Sequence, residues 1–164
     1  LAMVRKATIS TLRVCGMIIW IGIGATALVG VYNLMGGIEF VREMVFAVSG
    51  GDGLTTILFM MFILLILGMF LDWVGVALLT MPIFVPIVTE LGYSPIWFGV
   101  VFCMNMQVSF LSPPFGPAAF YLKTVTPKDI TLGEIFRSLL PFIALQIVAL
   151  ALLIAFPQLA LWWQ

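Results

Sequence analysis

The placement of charge constrains this chain more than any other feature of its sequence. Seven basic and seven acidic residues leave five long uncharged segments between them. Those segments run over 14–38, 53–71, 73–89, 91–122 and 138–164. A helix needs about 20 mostly apolar residues to cross the hydrocarbon core of a bilayer. The pattern therefore predicts an all-α membrane protein that crosses the bilayer several times.

Composition supports this fold class and excludes several kinds of function. Of the 164 residues, 63% are hydrophobic and 9% are charged, whereas a soluble domain carries about 25% charged residues. The net charge is zero, which gives no basis for nucleic-acid binding. The chain has no histidine, so it lacks the usual general base and the commonest metal ligand. Cys15 and Cys103 lie in apolar context, and we expect packed thiols rather than a disulfide.

The uncharged segments predict individual elements along the chain. The predicted elements are a first span over 14–35, a short amphipathic helix at the interface over 38–48, two apolar arms over 54–89, a long interrupted helix over 95–122 and a last span over 138–160. Pro157 and the pair Trp162 and Trp163 mark the exit of the last span at an interface. The chain begins Leu-Ala-Met without a signal-peptide pattern, and we expect it to be the C-terminal piece of a longer protein.

Lysine and arginine predict the orientation of these elements, because both are enriched in cytoplasmic loops. If residues 54–89 return to the side from which they entered and 95–122 cross the bilayer, six of the seven basic residues lie on one side. That side is then the cytoplasm, so the N-terminal end of the chain is inside and the C-terminus is outside. The cytoplasmic residues are Arg5, Lys6, Arg13, Lys123, Lys128 and Arg137, and Arg42 alone is outside.

Asp72 is the only charged residue between Asp52 and Glu90, and it allows two interpretations. Residues 54–71 and 73–89 are long enough to be two full spans joined by a cytoplasmic loop. Alternatively, they form a re-entrant hairpin whose tip stops inside the protein. The turn carries an acid but no lysine or arginine, and its neighbours are apolar, which favours the re-entrant hairpin. An ionisable group at that depth is costly and is a candidate functional residue.

A second interruption lies at residues 112–117, which read Ser-Pro-Pro-Phe-Gly-Pro. Proline removes a backbone donor and clashes with the preceding turn, so this segment must break the helix over 95–122. Freed carbonyl groups are tolerated in a membrane where they line a cavity, and there they can ligate a cation. The alternative is a structural kink between packed helices. A hairpin followed directly by a broken helix favours a site, because secondary transporters build their binding sites from that pairing.

Two amide side chains, Asn105 and Gln107, precede the break. Residues two apart on a helix point to different faces, so we expect at least one of them to face another helix. Packing between helices and a role at a substrate site both remain open for this pair. We interpret Gln146 and Asn33 as packing residues.

Six short motifs follow one another in an order that is typical of one transporter family. The motifs are Gly68-Met-Phe-Leu-Asp72, Met81-Pro82-Ile-Phe-Val-Pro86-Ile, Leu91-Gly92-Tyr, Phe98-Gly99-Val, Ser112-Pro113-Pro114-Phe-Gly116 and Leu140-Pro141-Phe. Together they resemble the large membrane subunit of tripartite ATP-independent periplasmic (TRAP) transporters. The resemblance extends from residue 17 to the C-terminus and corresponds to the second half of that subunit.

This resemblance implies one repeat of an inverted-repeat, elevator-type transporter with a re-entrant helical hairpin and a broken transmembrane helix. Residues 1–52 would provide a scaffold helix and an interfacial arm helix. Residues 53–123 would form the transport-domain element, whose hairpin opens to the periplasm. Residues 124–164 would provide a cytoplasmic connector and the final transmembrane helix.

The resemblance also implies a function and a set of partners. Family members take up a small organic acid, with sodium as the coupling ion and no cofactor, across the bacterial inner membrane. A periplasmic substrate-binding protein delivers the acid, and a small membrane subunit and the N-terminal half of the large subunit complete the transporter. Residues 107–115 and 120–122 resemble the branch associated with 2-oxo, lactate-like and aromatic acids; a dicarboxylate remains open as well.

Carried onto this sequence, the resemblance implies one sodium site and one wall of the substrate site. The hairpin tip would contribute Gly68, Met69 and Asp72, and backbone carbonyls near Gly68 and Ser112 would hold sodium. Many members have threonine before the double proline, and Ser112 keeps that hydroxyl. The broken-helix residues expected at the site are Asn105, Gln107, Ser109, Ser112, Pro113, Pro114 and Gly116.

Two other classes of protein remain as alternatives. A membrane enzyme, such as an intramembrane protease or acyltransferase, is disfavoured because histidine and the common hydrolase motifs are absent from the sequence. A non-transporting scaffold or assembly subunit would tolerate Asp72→Asn and Ser112→Ala without loss of function.

Overall fold

The computed structural model describes residues 2–114, 116–127 and 129–162, and all regular secondary structure in these ranges is helical. This confirms the all-α fold class. Phe115, Lys128 and Trp163, on which some predictions above depend, lie outside the described residues. The helices are α1 (Ala2–Leu34), α2 (Gly37–Ser49), α3 (Gly53–Phe70), α4 (Trp73–Glu90), α5 (Pro95–Leu111), α6 (Pro117–Val125), α7 (Leu132–Ala155) and α8 (Gln158–Leu161).

Four of the described helices, α1, α3, α4 and α7, are long and apolar enough to cross a bilayer, which supports the predicted multi-pass membrane protein. Their outer surfaces are apolar as well. Trp20 on α1 and Leu145 on α7 are 74% and 66% exposed. Such surfaces are stable when lipid or another apolar protein surface covers them.

Helix α1 is longer than the predicted span over 14–35, since it begins at Ala2. Charge limits which residues lie in lipid, but it does not end a helix. No glycine or proline interrupts residues 2–13, so the helix continues through the basic residues there. With 33 residues α1 is about 50 Å long, which exceeds the ~30 Å hydrocarbon core.

Helix α7 also differs from its predicted bounds of 138–160. It begins at Leu132 because Thr131 and Glu134 form a capping box. The Thr131 amide donates to Glu134 Oε2 at 2.7 Å, and the Glu134 amide donates to Thr131 Oγ1 at 3.3 Å. The helix ends at Ala155, and α8 begins three residues further on, at Gln158 after Pro157.

The short helix α2 confirms the predicted helix over 38–48 and lies against the open end of a helical hairpin. Arg42 pairs with Glu39 on its own helix and with Glu90 at the end of α4. Ser49 Oγ lies 2.7 Å from Thr56 Oγ1 at the start of α3, and both residues are buried. These contacts join α2 to both arms of the hairpin.

The hairpin itself consists of α3 and α4, which meet at Leu71 and Asp72 as the sequence predicts. Asp72 is the N-cap of α4, and its Oδ2 accepts a hydrogen bond of 3.1 Å from the Val74 amide. Each arm has 18 residues and is about 27 Å long, which fits either a full span or a deep re-entrant arm. The re-entrant interpretation therefore stays a prediction.

The core of the chain lies between the hairpin and α5. Buried apolar side chains from these helices form one cluster, to which α2 adds Val45. Trp97 near the start of α5 is almost fully buried, and its Nε1 donates to the Leu153 carbonyl at 2.8 Å. This bond joins α5 to the last long helix, so α5 is held from both sides.

The broken helix is confirmed: α5 ends at Leu111, residues 112–114 and Gly116 are non-helical, and α6 begins at Pro117. Ser112 is the C-cap of α5, and its amide donates to the carbonyls of Val108 and Ser109. The peptide bond between Pro113 and Pro114 is cis. The helix breaks at the position where proline chemistry predicts the interruption.

The hairpin and the broken helix approach each other closely at Gly68. A β-carbon at this position would lie 2.8 Å from Ser109 Cβ and 2.9 Å from Ser109 Oγ. Only a residue without a side chain lets α3 and α5 approach this closely. Gly68 therefore sets the spacing between the end of the first hairpin arm and the end of α5.

We expect Gly68→Ala to destabilise the full-length subunit by about 1–3 kcal/mol, because its added methyl group would overlap Ser109. Thermal unfolding of the purified, detergent-solubilised protein measures this. Gly75→Ala on α4 is the matched control, since nothing lies within 4 Å of its added methyl group. The control should be neutral or stabilising by up to about 1 kcal/mol. Ser109→Gly should partly rescue Gly68→Ala; equal stability of the two alanine variants would contradict the close approach.

Candidate functional site

The seam between α3 and α5 carries a stripe of polar side chains in an otherwise apolar core. Asn105, Ser109 and Ser112 are all buried, with 2%, 0% and 6% of their surface exposed. Their spacing of four and three residues places them on one face of α5, and the contact of Ser109 with Gly68 shows that this face meets α3. The structure thus brings four of the predicted site residues together.

Asn105 ties this stripe to the first hairpin arm. Its Nδ2 donates to the Met61 carbonyl on α3 at 2.9 Å. Gln107 lies on the exposed side of α5. The prediction that these two amides point to different faces, and that one of them faces another helix, is confirmed.

The two serine hydroxyls donate back to their own helix. Ser109 Oγ donates to the Asn105 carbonyl at 2.9 Å, and Ser112 Oγ donates to the Val108 carbonyl at 2.7 Å. A hydroxyl that donates its proton keeps the lone pairs of its oxygen. Both oxygens can therefore still ligate a cation.

The break brings backbone oxygens close together. A β-carbon at Gly116 would lie 2.9 Å from the carbonyl oxygens of both Leu111 and Ser112. Glycine at this position lets the chain fold back against the end of α5, and the start of α6 then lies next to those carbonyls. Among the described residues no group of three or more histidine, cysteine or acidic side chains could hold a metal ion. The available ligands are hydroxyl and carbonyl oxygens, which suit a hard cation.

The remaining predicted residues lie at the edges of this seam. Met69 is partly buried, whereas Pro113 and Pro114 are exposed. Asp72 is exposed as well, and its carboxylate bonds to the backbone of its own helix, at Val74. The structure gives Asp72 a capping role and shows no bond from it to the polar stripe.

A groove of about 420 Å³ lies on another side of α5, between α5, α7 and the start of α4. Sequence reasoning assigned Gln146 to packing and did not connect it with Gln107, yet both line this groove. A usable signal was present: Gln146 is the only polar residue between Ser138 and Gln158. The described lining residues are Trp73, Phe102, Cys103, Met106, Gln107, Phe110, Leu111 and Gln146.

The two cysteines are free, as expected, but they are not packed. Cys15 on α1 and Cys103 on α5 are both exposed in this chain. Apolar context in the sequence predicted burial because it did not distinguish a core position from one on an outer helix face. Cys103 contributes to the wall of the groove.

Comparison with known proteins identifies the family of this chain. Residues 1–159 match the model for the DctM component of the tripartite ATP-independent periplasmic transporters. The chain is 32% identical over 114 residues, or 70% of its length, to the sialic acid TRAP transporter permease protein SiaT of Haemophilus influenzae, of which this match covers 18%. It is 32% identical over 116 residues, or 71% of its length, to the sialic acid TRAP transporter large permease protein SiaM of Vibrio cholerae, of which 27% is covered.

A third relative is the C4-dicarboxylate TRAP transporter large permease protein DctM of Pseudomonas aeruginosa, with 34% identity over 99 residues. That match covers 60% of this chain and 23% of the relative. The chain thus spans roughly a quarter or less of the curated permeases it matches, as the shares of 18%, 27% and 23% show. These relatives are transporters, so the membrane-enzyme alternative is set aside. Because the family model matches nearly the whole chain, this chain belongs to the DctM component family of the tripartite ATP-independent periplasmic transporters.

Proposed function

We propose that this chain is part of a secondary transporter that takes up a small organic acid across the bacterial inner membrane. Family membership supports transport as the activity. The named substrates of three relatives, sialic acid and C4-dicarboxylates, are organic acids. The observation that carries the proposal is the contact of Gly68 with Ser109, because it places a hairpin tip against a broken helix within the apolar core.

Sodium is the coupling ion that this geometry favours. The ends of α3 and α5 offer carbonyl oxygens and two hydroxyl oxygens near the break, and none of these groups titrates near neutral pH. Unwound backbone that replaces water around a cation is a common device of sodium-coupled transporters. The gradient of the ion then supplies the free energy for uptake, and ATP is not required.

The elevator arrangement assigns a role to each part of the chain. Helices α3 to α6 would form the moving element that carries the site, whereas α1 would belong to the scaffold and α2 would be the arm that links the two. The N-terminal half of the subunit would supply a second hairpin. A small membrane subunit and a periplasmic binding protein would complete the transporter, and the binding protein would select the acid.

We expect uptake by the complete transporter in proteoliposomes to require the binding protein and an inward sodium gradient, and to proceed without ATP. Ser112→Ala removes one ligand oxygen and should raise the sodium concentration for half-maximal uptake about tenfold, the effect of ~1.4 kcal/mol. Ser138→Ala is the matched control, since Ser138 makes a similar backbone bond on α7, to Ile135. Uptake that persists without sodium would contradict the proposal that uptake is coupled to sodium.

Asp72→Asn tests the alternative of a non-transporting scaffold subunit. An uncharged asparagine still caps α4, so the variant should fold as the native subunit does. We expect the transport rate of Asp72→Asn to fall, because the proposed function places this carboxylate at a membrane-embedded tip. Unchanged transport in both Asp72→Asn and Ser112→Ala would favour the scaffold role.

Thiol labelling tests whether the hairpin is re-entrant. Cys15 and Cys103 are replaced by serine, and Leu71→Cys at the turn is treated with an impermeant maleimide from each side of the membrane. A re-entrant tip should react much more slowly from the cytoplasm than Val125→Cys, which is 80% exposed at the end of α6. Labelling as fast as at Val125→Cys, and from the cytoplasm alone, would mean two full spans.

A further inference from the structure

The first turns of α1 carry basic side chains on one side of the helix. Successive residues of a helix are about 100° apart, so five positions here fall within an arc of about 140°. All of them are exposed, and together they line a groove of about 460 Å³. This basic face consists of Arg5, Lys6, Ile9, Ser10 and Arg13.

The cations of the basic face have no acidic partner among the described residues. The ion pairs that the described residues form involve Arg42 instead, and the first acid in the sequence is Glu39, beyond the end of α1. The hydrogen bonds from side chains of α1 to described residues are those of Thr8 and Thr26, so the Ser10 hydroxyl can donate as well. Three like charges close together repel one another, and an anion bound between them relieves that repulsion.

The length of α1 places the basic face at a membrane surface. Residues 14–34 are uncharged and helical, and they are about 32 Å long, which matches the ~30 Å hydrocarbon core. Arg13 then lies at the boundary of the core, at the level of the lipid phosphates. Arg5 and Lys6 lie about 10–12 Å further out along the helix axis. This placement holds on either side of the membrane, and the distribution of basic residues predicts the cytoplasmic side.

An open apolar strip continues the basic face into the hydrocarbon region. Gly16, Met17 and Trp20 fall within the same arc of α1. Met17 and Trp20 are 59% and 74% exposed, and nothing lies within 4 Å of a β-carbon added at Gly16. A soluble anion would contact the cations alone. A phospholipid would contact both the cations and the strip, because its phosphate lies directly above its acyl chains.

We propose that the basic face of α1 binds the headgroup of an anionic phospholipid, whose acyl chains lie along Gly16, Met17 and Trp20. Arg13 donates hydrogen bonds to the phosphate. Arg5 and Lys6 favour a headgroup with net negative charge over a zwitterionic one. The bound lipid fixes the depth of α1 in the bilayer. This inference goes beyond the proposed function, since it requires that α1 crosses the membrane but requires neither sodium coupling nor a particular substrate.

Lipid titrations of the full-length, detergent-purified transporter, followed by native mass spectrometry, test this site. The probes are phosphatidylglycerol and phosphatidylethanolamine with the same acyl chains, and we expect tighter binding of phosphatidylglycerol. Arg13→Gln should weaken its binding about tenfold, as expected for a lost hydrogen bond to a charged group. Arg5→Gln and Lys6→Gln should each weaken it about fivefold through the lost charge.

The matched control is Arg137→Gln, which removes an exposed positive charge from α7, outside the described lining of the groove. It should leave binding of phosphatidylglycerol unchanged. Glutamine and arginine have similar helix propensities, so the variants should keep α1 helical. Arg13→Lys retains the charge and should retain more of the binding than Arg13→Gln does.

A phosphatidylglycerol with a photoreactive acyl chain tests the apolar strip. It should cross-link to residues 14–20 of the native transporter, and much less in Arg13→Gln. Equal binding of phosphatidylglycerol by Arg13→Gln and Arg137→Gln would overturn the inference, as would equal binding of the two lipids by the native transporter. Displacement of the bound lipid by excess inorganic phosphate would also overturn it, because the face would then be a site for a soluble anion.

Discussion

The contact between Gly68 and Ser109 is the constraint on which the rest of this structure depends. Two helices that approach this closely leave no room for a side chain at position 68. Polar groups in the seam must then bond to each other or to the backbone, as Asn105 does with Met61. In the proposed transporter, a sodium ion would take the place of some of these internal partners.

Most of the fold could be predicted from the sequence because its strongest signals are local. Proline chemistry placed the break after Ser112, and the isolated charge at Asp72 placed the hairpin turn. The lengths of the uncharged segments identified the candidate membrane spans. Helix ends were harder to predict. Helix α1 begins twelve residues before its predicted start, because charge does not end a helix. Helix α7 also begins before its predicted start, because of the cap at Thr131.

The sequence predicted which residues of a single helix belong to the candidate site, but not how residues of different helices come together. The periodicity of Asn105, Ser109 and Ser112 could be read from α5 alone, whereas the close contact with Gly68 depends on how α3 packs against α5. Gln107 and Gln146 line one groove because of how α7 packs against α5, which no pattern in either helix specifies. Asp72 has a role that its rarity did not indicate, since the structure uses it as the N-cap of α4, while its role at the hairpin tip stays a prediction.

In the proposed transporter, the hairpin tip and α5 would hold the ion and form one wall of the substrate site. Ser109 would face the ion beside Gly68. Each ligand would then stabilise the same arrangement of the hairpin tip against α5, so each would raise the affinity for the other by an equal factor. Coupling of this kind needs no direct contact between sodium and substrate. It requires only that the tip and α5 move as one unit, and the missing side chain at Gly68 is what allows the two to pack in that way.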